Sequence, residues 1–148
     1  MSLSYYEVYI TSLRALTAMG FPYGLNEDAA FMTTWLELHK LDGIKKLSEA
    51  SQNFKKYFNN KIFLKDLRSS TSINLHKAPL LLNGPNLFDY LNEETIKNKQ
   101  LETSFYNCID PIYIIPLAEK FLINLEFIRF CWLKKNKKIT CINIKKNK

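Results

Sequence analysis

Apolar residues recur every three or four positions through the first sixty residues, and the period shortens to two near residue 101. The first period is that of helices packed on one face, the second that of strands. Tyr6, Tyr9 or Ile10, Leu13 and Leu16 form one stripe and predict a helix over 5–19. Ser4 and Glu7 open it as a capping box, the hydroxyl taking one end amide and the carboxylate reaching back to another. Gly20, Pro22 and Gly24 make the turn that follows. Ala29, Met32, Trp35, Leu36 and His39 form a second stripe. They predict a helix to about residue 40, with Asn26 as its cap and Glu27 and Asp28 at its positive end. Leu41-Asp42-Gly43 breaks that helix, and Asp42 caps a third over 43–58. Ile44, Leu47, Ala50 or Ser51, Phe54 and Phe58 are its inward positions.

Beyond residue 60 the pattern is less regular. Residues 61–68 fit a strand or a short helix, 69–72 a loop, and 72–76 a short strand. Pro85 sits where a first helical residue would, and predicts a short helix to Leu91 with a polar connector over 92–100. LETSFY at 101–106 alternates as a strand. Asp110-Pro111 is a helix start, and Pro116 implies either one turn and a fresh helix or a kink, ending near Asn124. EFIRFCWL and KITCINI form a hairpin around the lysines at 134–138. With Asn136 central, Cys131 faces Cys141, both read as small buried apolar residues. The class is α+β: an N-terminal three-helix segment, then a small sheet in β-α-β-β order ending in the hairpin. A single domain is expected, with a helical half over 1–60, an irregular connector over 61–100, a sheet-forming half over 101–144 and a basic tail over 145–148.

Composition changes this picture little. A chain of 148 residues with ten Phe and eight Tyr has enough apolar material for a proper core. The net charge of +7 suggests a polyanion partner until it is mapped. Residues 1–126 carry 13 basic and 14 acidic side chains, whereas 127–148 carry 8 basic and none acidic. The excess is a local run of solvated lysines, with weak non-specific attraction to polyanions as the alternative. Lys outnumbers Arg 18 to 3, which argues against specific nucleic-acid readout, where Arg leads. Cys108, Cys131 and Cys141 show no metal-ligand spacing, and no metal or cofactor is implied. An odd cysteine count without a secretory leader fits a reducing cytoplasm. No apolar run approaches the ~20 residues that span a bilayer, so no membrane partner is expected.

Five groups at turns and element ends are the candidate site: Tyr23, His39, Asp42, His76 and Asp110. His39 and Asp42, three apart across a helix end, would suit a general base and its orienting carboxylate. No nucleophile or second base lies near them in sequence, so the plainer reading makes Asp42 a cap and His39 a partly buried helix-end residue. Trp35 reads as core. The composition therefore favours a non-catalytic binding or protein-interaction domain over an enzyme, with a homo-oligomer or protein partner on the aromatic helical face. The alternative is a small-molecule binder or enzyme, with a pocket between the second helix and the C-terminal sheet lined by those five groups.

The order of several motifs resembles a known family. Gly20-Phe21-x-Tyr23-Gly24-Leu25-x-Glu27-x-Ala29, then Trp35-Leu36, then Leu41-Asp42-Gly43 lead the series. His76-x-Ala78-Pro79-Leu80-Leu81-Leu82, Asp110-Pro111-x-x-Ile114-Ile115-Pro116 and the closing strand with Trp132 follow. Together they resemble an uncharacterised bacterial family, the domain of unknown function 3726, over roughly residues 13–47 and 76–133. That resemblance implies a fold and no activity. The opening helical layout is also similar to that of type-2 malate/lactate dehydrogenases. Where those continue into a Ser-His-Gly with the catalytic histidine, this chain has Ile44-Lys45-Lys46.

Overall fold

The computed structural model describes residues 4–63, 65, 67, 72–121, 125–133 and 139–145, with residues 132–133 and 139–145 described by backbone alone. Three helices open the chain: α1 (Tyr5–Ala18), α2 (Leu25–Leu38) and α3 (Gly43–Tyr57). The capping box is present: Ser4 Oγ accepts from Glu7 N, and Glu7 Oε2 accepts from Ser4 N at 2.8 Å. At the end of α1, Phe21 N–H donates to Leu16 O and Gly20 N–H to Thr17 O, with Gly20 at φ +89°. This is the Schellman arrangement, and only a residue free of Cβ enters that conformation without strain.

The stripes hold at Leu16, at Ala29, Met32 and Leu36, and at Leu47 and Phe54, and depart from the predicted positions elsewhere. On α1 the buried residues are Val8, Ser12 and Leu16, while Tyr6 is 70% exposed. Ile44 of α3 is likewise exposed, and Gly43, Leu47 and Phe54 face inward. Asn26 lies inside α2, buried, and its Nδ2 donates to Thr17 Oγ1 at 3.0 Å. Asp42 holds the N-cap position of α3 without a side-chain bond. Glu37 takes its place, Oε2 accepting from Ile44 N at 2.9 Å.

Next comes a β-α-β unit: β1 (Ser72–Asn74), α4 (Leu80–Asn98) and β2 (Ser104–Tyr106). β1 and β2 pair in parallel, Ile73 opposite Phe105. α4 replaces the expected short helix and connector. It begins before Pro85 and runs through the polar stretch after Leu91. Leu80, Leu81, Leu87, Phe88, Leu91 and Thr95 fall on its buried face, and that burial outweighs the backbone bond Pro85 cannot make. Lys97 pairs with Glu93 and Glu94 over the last turns. Lys65 and Leu67 are helical; of the loop read over 69–72, residues 69–71 lie outside the described residues and Ser72 opens β1.

A 3₁₀ turn (Pro111–Tyr113) leads directly into α5 (Ile114–Phe121), so the single turn and fresh helix form, with Pro116 in the first turn. β3 (Phe127–Leu133) and β4 (Ile139–Lys145) form the hairpin in the expected register, Cys131 opposite Cys141. The lysine turn at 134–138 and the tail after 145 lie outside the described residues. The second half keeps its β-α-β-β order and the class is α+β, but the strands form two separate pairs. Cys131 is disulfide-bonded and exposed, in place of the buried apolar residue expected, and Cys108 is a free thiol.

The core is one apolar cluster. Leu16 of α1, Met32 and Leu36 of α2, Phe54 of α3, Phe88 of α4 and Leu117 of α5 all contribute. Lys120 of α5 pairs with Asp28 in the first turn of α2 and lies 5.1 Å from the Phe31 ring. That contact ties the last helix to the second across the core.

Candidate functional site

Because β1 and β2 run the same way, the segments leaving them emerge at one edge. After β1 the chain turns into α4; after β2 it turns into the 3₁₀ segment. The two exits are laced together: Leu75 N–H donates to Tyr106 O, Lys77 N–H to Asn107 O, and Asn107 Nδ2 to Asn74 Oδ1. This brings Asp110 to the first turn of α4, where its carboxylate accepts from Leu80 N at 3.1 Å. The sequence marks Asp110 as a cap for the helix that follows it. It is a cap, but of the helix thirty residues earlier.

A cleft of about 590 Å³ opens at this edge, between α3 and residues 109–113. Lys46, Glu49, Asn53, Phe54 and Tyr57 of α3 form one wall. Pro79, Ile109, Asp110, Ile112 and Tyr113 form the other. The mix of apolar surface with a few convergent polar groups is that of a ligand pocket.

The polar groups are unevenly satisfied. Lys46 Nζ bonds Glu49 Oε2 at 3.2 Å. Burial pushes the Asp110 carboxyl up to about 7, although the amides of Leu80 and Leu81 favour its ionised form. Tyr113 is 1% exposed, and its buried hydroxyl has no hydrogen-bond partner among the described residues. Burial, then the charges of Asp110 and Glu49, push its pKa well above the usual phenol range, so the hydroxyl stays protonated within the field of both carboxylates. Burial and Asp110 push the Cys108 thiol up to about 12, which leaves it without nucleophilic character at neutral pH. Among the described residues no group of three His, Cys, Asp or Glu is placed to hold a metal.

Of the five residues the sequence singled out, Asp110 alone lines this cleft. Tyr23 projects from the α1–α2 turn, 92% exposed. His39 is exposed instead of partly buried; it stacks on Trp35 with centroids 3.7 Å apart, and its Nδ1 lies 2.7 Å from Trp35 O. Trp35 itself packs half-buried against the core, as read. Asp42 takes a left-handed conformation at the head of α3. His76 sits in the β1–α4 turn: its N–H donates to Asn74 Oδ1, and its ring meets Phe63 edge-on at 5.0 Å. The cleft residues that sequence reasoning passed over are Glu49, Asn53, Tyr57 and Tyr113. Tyr113 carried one usable signal, its place just after Asp110-Pro111 in an apolar run. Glu49, Asn53 and Tyr57 carried none, since they fall between the stripe positions of their helix.

A family model described as Protein of unknown function (DUF3726) matches residues 3–84. No curated protein matches the chain, and no solved structure does.

Proposed function

The chain belongs to that family, and we propose that this member is a non-catalytic binding domain whose ligand is a small molecule held in the cleft between α3 and the Asp110 turn. The observation that carries the reading is Tyr113: a residue that lines an open cleft and whose buried hydroxyl has no hydrogen-bond partner among the described residues. A buried hydroxyl left unsatisfied costs stability, and a ligand atom that meets it recovers that cost. The cleft also opens at the carboxyl ends of two parallel strands, the edge where α/β folds gather binding groups. The absence of a nucleophile with an adjacent base among the cleft residues favours binding over turnover. Native mass spectrometry of the gently captured protein tests this, as a retained small mass.

The proposal includes a cytoplasmic setting and a second copy or protein partner as further parts. Tyr6 and Tyr23, the most exposed aromatics among the described residues, support the second. The same spectra report the oligomer. Cell fractionation with thiol trapping reads the location. The disulfide that Cys131 forms argues against the cytoplasm; a reducing compartment would leave Cys131 alkylatable in the cell, and a protected Cys131 would overturn that setting.

A further inference from the structure

We infer that the cleft selects a small organic cation, a primary amine on a short apolar or aromatic body, with the ammonium group seated between Asp110 and Tyr113. This rests on the binding reading above and names the ligand class for the same site.

The charged groups facing the cleft are Lys46 and Glu49 of α3 and Asp110 of the turn. Lys46 is engaged by Glu49, so no side-chain cation of the wall is left for Asp110. Backbone amides, those of Leu80 and Leu81 at the head of α4 and its own, favour its charge. An ammonium group donates up to three hydrogen bonds and carries the missing charge. Tyr113 Oη can accept one of those bonds, and Asp110 a second. An anion would meet two carboxylates, and a neutral alcohol would leave Asp110 uncompensated. The apolar body has its own surface in Phe54, Pro111 and Ile112, with the Tyr57 ring, which carries Lys56 Nζ 5.3 Å from its centroid, beside it.

The arrangement also links binding to a proton. Cys108, Tyr57 and Tyr113 are the other titratable groups around Asp110, and Cys108 and Tyr113 stay neutral near pH 7. An arriving cation therefore draws its compensating charge from ionisation of Asp110, and its affinity rises with pH through about 7.

The experiment is amide chemical-shift mapping on the full chain with three probes of one shape: benzylamine, benzyl alcohol and benzoate. Benzylamine should move the amides of Asn53–Tyr57 and Ile109–Tyr113. It should bind about tenfold or more tightly than benzyl alcohol at pH 7.5, the scale of one charge-assisted hydrogen bond. Its affinity should fall on acidification to pH 5.5, while that of benzyl alcohol stays level. Asp110→Asn should abolish the preference, and Tyr113→Phe, which keeps the α4 cap, should weaken benzylamine severalfold. Benzoate or benzyl alcohol matching benzylamine at these amides overturns the cation inference and leaves the cleft standing. No probe moving them overturns the cleft as well.

Discussion

Asp110 bears on stability as well as binding. Its ordinary carboxyl value is 3.8, and in the folded chain burial lifts it to about 7. The folded state thus holds that proton more tightly than the unfolded one. Stability is full below about pH 4 and declines as pH rises to about 7, by up to about 4 kcal/mol. Asp89, raised by burial and then by Asp28 and Glu93, pushes in the same direction. Urea midpoints between pH 4.5 and 7.5 check this: the midpoint should drop with pH, and Asp110→Asn should flatten most of the drop. Tyr113 makes the complementary case. Its hydroxyl is buried without a partner, so Tyr113→Phe should raise the stability of the ligand-free protein by about 1 kcal/mol. A loss on that substitution would mean the hydroxyl is satisfied in solution. At this scale the sequence was half legible. Asp110-Pro111 announces a capping carboxylate, but not which helix it caps, because the partner is fixed by strand pairing and not by local spacing.

Among the elements, the α2–α3 corner is the tightest joint. A Cβ added at Gly43 would stand 2.1 Å from Thr33 O and 2.6 Å from Glu37 N, both backbone atoms that cannot step aside. Gly43→Ala should therefore part the two helices and cost about 3 kcal/mol or more, measured by thermal or urea unfolding. Because α3 is one wall of the cleft, the same variant should also lose ligand. The existence of α1, α2 and α3 was readable from period and punctuation, since each is bounded by glycine, proline or a cap. Their facing was legible only in part: Leu16, Ala29, Met32, Leu36, Leu47 and Phe54 are buried as read, but Ser12, Asn26, Thr33 and Thr34 are buried too, the last three bonding through Asn26 Nδ2 to Thr17 Oγ1, Thr33 Oγ1 to Ala29 O and Thr34 Oγ1 to Ala30 O. A polarity pattern counts such residues as outward. α4 was misread for a related reason. Gly84-Pro85 resembles a helix start, but Gly84 is there for close packing, its missing Cβ leaving room for Leu117 of α5.

At the scale of the molecule, the cleft is a product of topology. β1 and β2 are three residues each; both were readable as strands, but nothing in their spacing declares that they pair in parallel across the length of α4. That pairing places the Asp110 turn against the head of α4 and the side of α3. The hairpin, by contrast, was legible to the residue pair, because its register follows from the two strand patterns about Asn136. The family match ends at residue 84, so it spans the α3 wall and Pro79 but stops short of Asp110 and Tyr113. The central claim is that the two walls together hold a small molecule. Native mass spectrometry of the protein drawn gently from its own host tests it most directly, run beside Asn53→Trp, an exposed-face substitution on α3 that fills the cleft. The account predicts one retained small mass per chain on the unaltered protein and none on the variant. Bare chain masses for both, or equal retention by both, would contradict it.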